Sequence, residues 1–352
     1  MNINDKYVGE DSRCYIIAEL SANHGKDIEI AKKTIKAAKE AGADAIKLQT
    51  YTANTLTINC DNDCFRIDKG TLWDGKTLYE LYSEAYTPWE WQPELIKYSE
   101  SIGITCFSTP FDKSAVDFLE KLNVPAYKIA SFEIVDIPLI KYIASKGKPI
   151  IISTGIATIE EIEDAIDACK SMGNDQVILL KCTSQYPAKL EDANLKVIPD
   201  MANRYSLIVG LSDHSMDIEV PITAVALGAK VVEKHFILDK NIGGPDAQFS
   251  LTPNEFKSMV ESIRKVESSM GKIEYSLDEK KINSRFFARS LFIVEDVKKG
   301  DTITEKNVRS IRPGYGMKPK FIEQILGKKF REDYEKGTPL EWNLIEINDV
   351  CK

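Results

Sequence analysis

A chain of 352 residues, 43% of them hydrophobic, is long enough to bury one barrel-sized core and a small second domain. Its net charge of −8 excludes an ordinary nucleic-acid binder, which gathers positive charge to displace counterions from phosphate, but leaves room for a local basic pocket for a small anion. The opening stretch MNINDKYVGEDSRCYIIAEL lacks the pattern of a secretory signal, and no segment is apolar over the length of a bilayer, so neither nucleic acid nor membrane is an expected partner and a cytoplasmic location is expected. Seven cysteines (14, 60, 64, 106, 169, 182 and 351) form an odd, scattered set, as expected of reduced thiols; the one close pair, Cys60 and Cys64, reads as loop thiols without a metal role.

From residue 14 onward, short β-branched runs alternate with amphipathic helical stretches, the pattern of βα units on a parallel sheet. Eight runs occur: CYIIAE (14–19), AIKLQ (45–49), TCFS (105–108), AYKIA (126–130), IIIS (150–153), VILLK (177–181), LIVGLS (207–212) and VVEKH (231–235). Helix starts are marked between them. Thr158 with Glu161 makes a capping box, and Thr252, Pro253 and Glu255 supply a cap, a first-turn proline and the box acid. Glycines at 103, 147, 173 and 271 mark helix ends. Eight such units, with no glycine-rich dinucleotide fingerprint after the first run, predict an α/β fold: a closed (β/α)8 TIM barrel over 1–271.

One long interruption, 51–92, follows the second run and carries Trp73, Tyr79, Tyr82, Tyr86, Trp89 and Trp91. It reads either as an aromatic cluster packing its own loop or as a wall for substrate. After Gly271 a polar helical linker (272–287) leads to a small β-rich domain over 288–352, with turn signals at KKGD and RPGYG.

In such a barrel the active site lies at the C-terminal ends of the strands. Polar residues there are Glu19; Lys47 and Gln49; Ser108 and Thr109; Lys128 and Ser131; Ser153 and Thr154; Lys181 and Thr183; Ser212 and His214; and Glu233, Lys234 and His235. Two of the chain's three histidines, His214 and His235, sit on the exits of neighbouring strands, where two imidazoles can share one ion. Only two nitrogens leave open positions for water and substrate, which suits a divalent cofactor such as Mn2+, Mg2+ or Co2+ rather than a closed zinc site. His24, after the first run, reads as a residue behind the site.

Period-two alternation turns Lys47, Lys128 and Lys181 inward, where unpaired ammonium groups are costly and an anion is required. With Thr109, Ser131, Ser153 and Ser212 they form a candidate cradle for phosphate and carboxylate; the competing reading pairs them with Glu19, Glu133 or Glu233. Glu19 is a candidate acid or base, and the glycines of GGPDAQFS (243–250) allow Asp246 to swing toward the metal edge or a sugar hydroxyl.

These residues, in AELSANHGKDIEIAKKTI, AGADAIKLQTY, FSTPFD, YKIAS, ISTGIAT, KCTSQYP, GLSDHS, EKHF and GGPD, resemble the sialic acid synthases along nearly the whole chain, and the RSLFIVEDVKKGDTI and RPGYG segments resemble their antifreeze-like (SAF) domain. Within that family the stretches at 70–92, 130–140 and 181–195 resemble the pseudaminic acid branch. The resemblance implies condensation of phosphoenolpyruvate with 2,4-diacetamido-2,4,6-trideoxy-L-altrose to a nine-carbon 2-keto acid, with release of phosphate. It implies that His214 and His235 hold the metal, and that Lys47, Thr109, Lys128, Ser131, Ser153, Ser184, Tyr186 and Ser212 bind the substrates. Ser184 stands where the family often has asparagine. Glu19 and Asp246 would lie near the aldehyde, and Arg312 would reach into a neighbouring subunit of a domain-swapped homodimer. The alternatives are an N-acetylneuraminate or legionaminate synthase, a lysine Schiff-base aldolase, and a carbohydrate-binding protein without catalysis.

Overall fold

The computed structural model describes residues 1–68, 70 and 72–346; Cys351 lies outside the described residues. Eight parallel strands close a barrel: Tyr15–Glu19, Ala45–Thr50, Thr105–Pro110, Tyr127–Ile129, Ile150–Ser153, Val177–Cys182, Ile208–Asp213 and Val231–His235. Closure comes from the eighth strand pairing with the first, from Val231 against Tyr15 to His235 against Glu19. All eight expected runs are strands, each bounded within two residues of its sequence limits. They are buried on both faces, inside the barrel and beneath the helices, which is why their sequences are continuous apolar runs up to the strand exits. Gly210 lets two strands approach: a Cβ there would lie 2.3 Å from the Val231 carbonyl oxygen and 2.8 Å from Leu180 Cδ2.

Local signals set the helices. In the helix Ile159–Ser171 the backbone N–H of Thr158 donates to the Glu161 carboxylate at 2.8 Å, and Glu161 N returns a bond to Thr158 Oγ1 at 3.3 Å. Thr252 and Glu255 close the same box on the helix Pro253–Met270. A third box passes unread in the sequence: Thr77 and Glu80 start a helix, Leu78–Ala85, inside the stretch expected to be loop. A hairpin of Asn2–Ile3 with Lys6–Tyr7 also precedes the barrel, and Ile3 and Val8 join its core.

The chain divides into two compact units, Met1–Gly271 and the residues from Lys272 onward. Within the second, Asp278 caps a short exposed helix, Glu279–Ser284. Beyond it, the antiparallel strands Ser290–Ile293 and Val308–Ile311 pack with Ile325, Phe330 and Leu340 into a small core of their own. No helix of the described residues is long and apolar enough to cross a membrane.

Candidate active site at the barrel mouth

Strand register brings the lysines and carboxylates together. Glu19 pairs in register with Lys47 on the neighbouring strand, and the Lys47 ammonium contacts the Glu19 carboxylate while lying 3.2 Å from Thr109 Oγ1 and 3.5 Å from Glu233 Oε1. Lys128 Nζ donates to Ser153 Oγ at 2.6 Å and to the Ile129 carbonyl at 3.0 Å, with Glu233 at 3.9 Å. Lys181 donates to the Cys182 carbonyl and to Thr183 Oγ1, both at 2.8 Å, and makes no ion pair among the described residues. Lys47 and Lys128 are almost fully buried, at 4% and 2% exposure. Two carboxylates therefore balance two of the three inward cations, while Lys181, with no ion-pair partner among the described residues, is pushed by burial below the ordinary lysine range.

The two carboxylates are driven apart. Burial raises Glu19 to about 7 against the pull of Lys47, whereas at Glu233 the same burial is outweighed by Lys128 and Lys47, which hold it below the ordinary range. Glu233 is the standing anion, and Glu19 can gain and lose a proton near neutrality. Its Oε1 is held by the Ser21 backbone N–H at 3.0 Å and by Gln49 Nε2 at 3.2 Å.

His214 follows the seventh strand and His235 ends the eighth, with ring centroids 5.3 Å apart. His214 Nδ1 lies 3.0 Å from the Thr183 carbonyl, which can only accept; Nδ1 therefore carries the proton and Nε2 of the neutral ring is the lone-pair nitrogen. Burial, with His214 and Lys47 nearby, pushes His235 well below the ordinary imidazole range, so its ring is held neutral, whereas at His214 burial is outweighed by Cys182 and the Thr183 carbonyl, which raise it. His235 Nδ1 is buried with no hydrogen-bond partner, 3.9 Å from Asp246 Oδ2. Among the described residues no group of three or more His, Cys, Asp and Glu side chains is arranged as a metal site. Two neighbouring imidazoles, one with an orphaned nitrogen, fit an ion that takes its remaining ligands from water and substrate and whose positive charge displaces the proton from the His214 ring.

The hydroxyls line up on one side. Ser184 Oγ donates to Ser131 Oγ at 2.8 Å, and Ser131 accepts from the Ile156 N–H at 3.2 Å. Ser212 Oγ lies 3.4 Å from Glu233 Oε1. Gly155 makes room for the serine pair: a Cβ on it would sit 2.2 Å from Ser184 Oγ and 2.7 Å from Ser131 Oγ. Gly155→Ala should rotate both hydroxyls aside, leave the melting temperature unchanged and raise KM for the anionic substrate about tenfold, the cost of roughly one lost hydrogen bond; an unchanged KM refutes that role.

Above the cradle lies a cavity of about 230 Å3 lined by Gln49, Tyr186, His235 and Asp246 together with an apolar wall. The insertion splits between the two readings made for it. Trp73, Leu81 and Tyr82 line the cavity, whereas Trp89 packs on Phe118 at 4.9 Å and Trp91 on His24 at 5.6 Å, as framework. Tyr186 packs between Trp73 (5.7 Å) and His214 (4.4 Å), its ring tilted against both. Asp246 accepts from Ser21 Oγ and, at 3.4 Å, from the Ala22 N–H. Arg312 is exposed just after the strand Val308–Ile311 of the second unit. A larger hollow of about 520 Å3 lies at the opposite barrel end, lined by Glu10, Arg13, Lys230, Arg264 and Glu267; Arg264 is paired with Glu267 and Lys230 is bound to the Glu10 carbonyl.

Three strand-end residues expected at the mouth turn away from it. Ser108 bonds Thr50 at 2.6 Å, Thr154 bonds the Leu180 carbonyl at 3.1 Å, and Lys234 pairs with Asp213. Each lies on the parity opposite to the inward residues, so the pleat carries it toward the helix layer. His24 is buried, its Nδ1 accepting from the Lys26 N–H at 3.1 Å, and does not line the cavity. Sequence reasoning missed Asn23, whose Nδ2 holds the Phe236 carbonyl at 3.0 Å and Ser250 Oγ at 2.7 Å and so anchors the loop bearing Asp246. It also missed Cys182, whose Sγ lies 3.8 Å from His214 Nδ1; a lone buried asparagine or cysteine carries no signal in sequence.

Glu133 also lines the cavity, and burial raises it to about 7, offset in part by Lys128. A carboxyl whose folded value lies above its unfolded one favours folding most below the unfolded value, near 4.5, and that contribution fades as pH rises through about 7. Glu133→Gln should therefore gain stability relative to the parent by about 2–3 kcal/mol above pH 7 and nothing at pH 4. Urea unfolding at the two pH values tests this, and a pH-independent difference overturns it.

The NeuB family model matches residues 34–275 and the SAF domain model residues 288–346. The chain is 50% identical over 331 residues to the pseudaminic acid synthase of Campylobacter jejuni, covering 94% of this chain and 96% of that one, and 48% identical over 332 residues to the pseudaminic acid synthase of Helicobacter pylori, covering 94% and 97%. Among solved structures, the N-acetylneuraminic acid synthetase of Leptospira borgpetersenii in complex with citrate superposes with a TM-score of 0.72 at 31% identity, covering 81% of this chain and 94% of that one. A closed eight-strand barrel with inward lysines, followed by a SAF domain and matched over nearly its whole length by these synthases, places the chain in the NeuB family.

Proposed function

We propose that the chain is a pseudaminic acid synthase, joining phosphoenolpyruvate to 2,4-diacetamido-2,4,6-trideoxy-L-altrose and releasing phosphate. The observation that carries the reading is the buried anion cradle, Lys47 and Lys128 with Thr109 and Ser153, at the same strand-exit end of the barrel as the paired histidines, of which His235 lines the cavity. Identity of 50% to synthases of that name supports the choice of branch.

In this mechanism the lysines hold the phosphate and carboxylate of phosphoenolpyruvate, with Ser131, Ser184 and Ser212 donating to the remaining oxygens. Tyr186 and Asp246 position the sugar in the cavity, so that the methylene carbon of the enol faces the aldehyde carbon. A carbon–carbon bond forms and the aldehyde oxygen takes a proton. Water then adds to the cationic enol carbon and gives up a proton, and the tetrahedral intermediate expels phosphate by carbon–oxygen cleavage. Glu19, poised near neutrality, is the group that moves these protons. His214 and His235 would hold a divalent ion, Mn2+, Mg2+ or Co2+, which supplies Lewis acidity toward the aldehyde when bound.

Phosphate release measured across N-acetylmannosamine, the trideoxy altrose and its mannose analogue tests the assignment. Turnover with the altrose sugar alone is expected; preference for N-acetylmannosamine moves the chain to the neuraminate branch. We further propose a homodimer in which Arg312 of one copy completes the cavity of the other, supported by the exposure of Arg312 in the second unit and by the family resemblance of the RPGYG segment. Cutting the chain near residue 280 should then remove activity and leave the barrel folded by circular dichroism. Full activity of the truncated chain would refute it.

A further inference from the structure

The ion pair between Lys234 and Asp213 belongs neither to the cradle nor to the cavity, yet it is as enclosed as the pairs of the cradle: both residues are 5% exposed or less. The two stand in register on adjacent strands, and each immediately precedes one of the paired histidines, His235 and His214. Because the parity alternates, the ammonium and carboxylate lie on the outer side of the sheet while the two imidazoles face the mouth.

The pair also organises the loop that carries His214. That histidine lies past the end of its strand, where ladder bonding has stopped, so the ring depends on the loop for its position. Lys234 Nζ contacts the Asp213 carboxylate and donates to the Ser215 carbonyl at 2.6 Å and the Asp217 carbonyl at 3.1 Å, which uses all three of its protons. Asp213 in turn accepts from the Ser215 N–H at 3.0 Å and from Ser215 Oγ at 2.9 Å. Residues on both sides of His214 are thereby fastened to the residue just before His235. A buried ion pair is often no more stabilising than an apolar pair of the same size, so stability alone gives weak reason for one here. Orientation gives a better one, because the pair fixes directions that an apolar contact leaves free.

We propose that Lys234 and Asp213 are positioning residues that set the spacing and tilt of His214 relative to His235, and so the affinity of the site for a divalent cation. This rests on the reading of the histidines as a metal pair. Outer groups that orient a ligand typically contribute 10–100-fold to metal affinity.

The test is Mn2+ binding to the full-length protein without substrate, followed by the electron paramagnetic resonance signal of the free ion, with thermal unfolding in parallel. The double variant Lys234→Met/Asp213→Leu leaves no unpaired charge but strands the Ser215 N–H and the Ser215 and Asp217 carbonyls, so it should fold with a lowered melting temperature while binding Mn2+ 10–100-fold more weakly. Asp213→Asn, which retains an acceptor for Lys234 and the loop, should lose less. Mn2+ affinity within twofold of the parent in both folded variants overturns the positioning role and leaves the metal reading intact. If the double variant fails to fold, Asp213→Asn decides alone, parental affinity again overturning the role. Failure of the parent itself to bind Mn2+ overturns the metal reading and this inference with it.

Discussion

His235→Ala should lower kcat by about a thousandfold while leaving the unfolding midpoint where it was. The magnitude follows from losing Lewis acidity of several kcal/mol, each 1.36 kcal/mol being tenfold in rate. The fold should tolerate the change because His235 Nδ1 bonds to nothing, so truncation orphans no partner of that nitrogen. His214→Ala should cost as much in rate and slightly more in stability, since it strands the Thr183 carbonyl that His214 Nδ1 holds at 3.0 Å. Chelation of the parent protein should reproduce the rate loss, and added Mn2+ should restore it in the parent and in neither variant. Turnover by either variant within tenfold of the parent would remove the histidines from the mechanism.

The second large effect is on the fold. Lys47 is the shared counter-ion of Glu19 and Glu233, both buried, so Lys47→Met leaves two carboxyls in a low-dielectric site with only Lys128 at 3.9 Å from one of them. Breaking a buried pair by removing one partner costs about 3–5 kcal/mol, and activity should vanish with the lost anion contact. The pH dependence identifies the cause. In the variant Glu19 loses its principal cation and its folded value rises further above the unfolded one, while Glu233 loses one of the two lysines that hold it low; the Glu19 penalty is absent below about pH 4.5 and grows as pH rises. The stability gap to the parent should accordingly be widest above pH 7 and close in acid. Lys128→Met, which frees Ser153 and leaves the Lys47 pairs intact, should be milder in stability while still impairing phosphate release. Urea unfolding at pH 5 and pH 8 makes the measurement, and a gap under about 1 kcal/mol at pH 8 would show that the charges relax into solvent.

Much of this was legible in the chain itself. Eight β-branched runs separated by helical stretches specify a barrel because each run is too apolar to leave either face wet, and T-x-x-E boxes say where some of the helices begin; Thr158 and Thr252 start helices as their sequences predict. Alternation within AIKLQ and AYKIA turned Lys47 and Lys128 inward, and the rarity of histidine drew attention to His214 and His235. These features are local, with a period or a spacing that sequence records directly.

What only the tertiary structure decided are facts about partners distant along the chain. Closure of the barrel determined which parity of each strand faces the axis, and so took Ser108, Thr154 and Lys234 out of the mouth and put Lys234 on Asp213. It divided the insertion into a wall of Trp73 and Tyr82 and a frame of Trp89 and Trp91, residues alike in composition and separated by what they pack against. It showed Gly155 as the space in which Ser131 and Ser184 meet, and it set Glu233 below and Glu19 above the ordinary carboxylate range through their burial and their distances to two lysines. A carboxyl's charge state depends on burial and on neighbours brought up by register, and neither quantity exists until the sheet has closed.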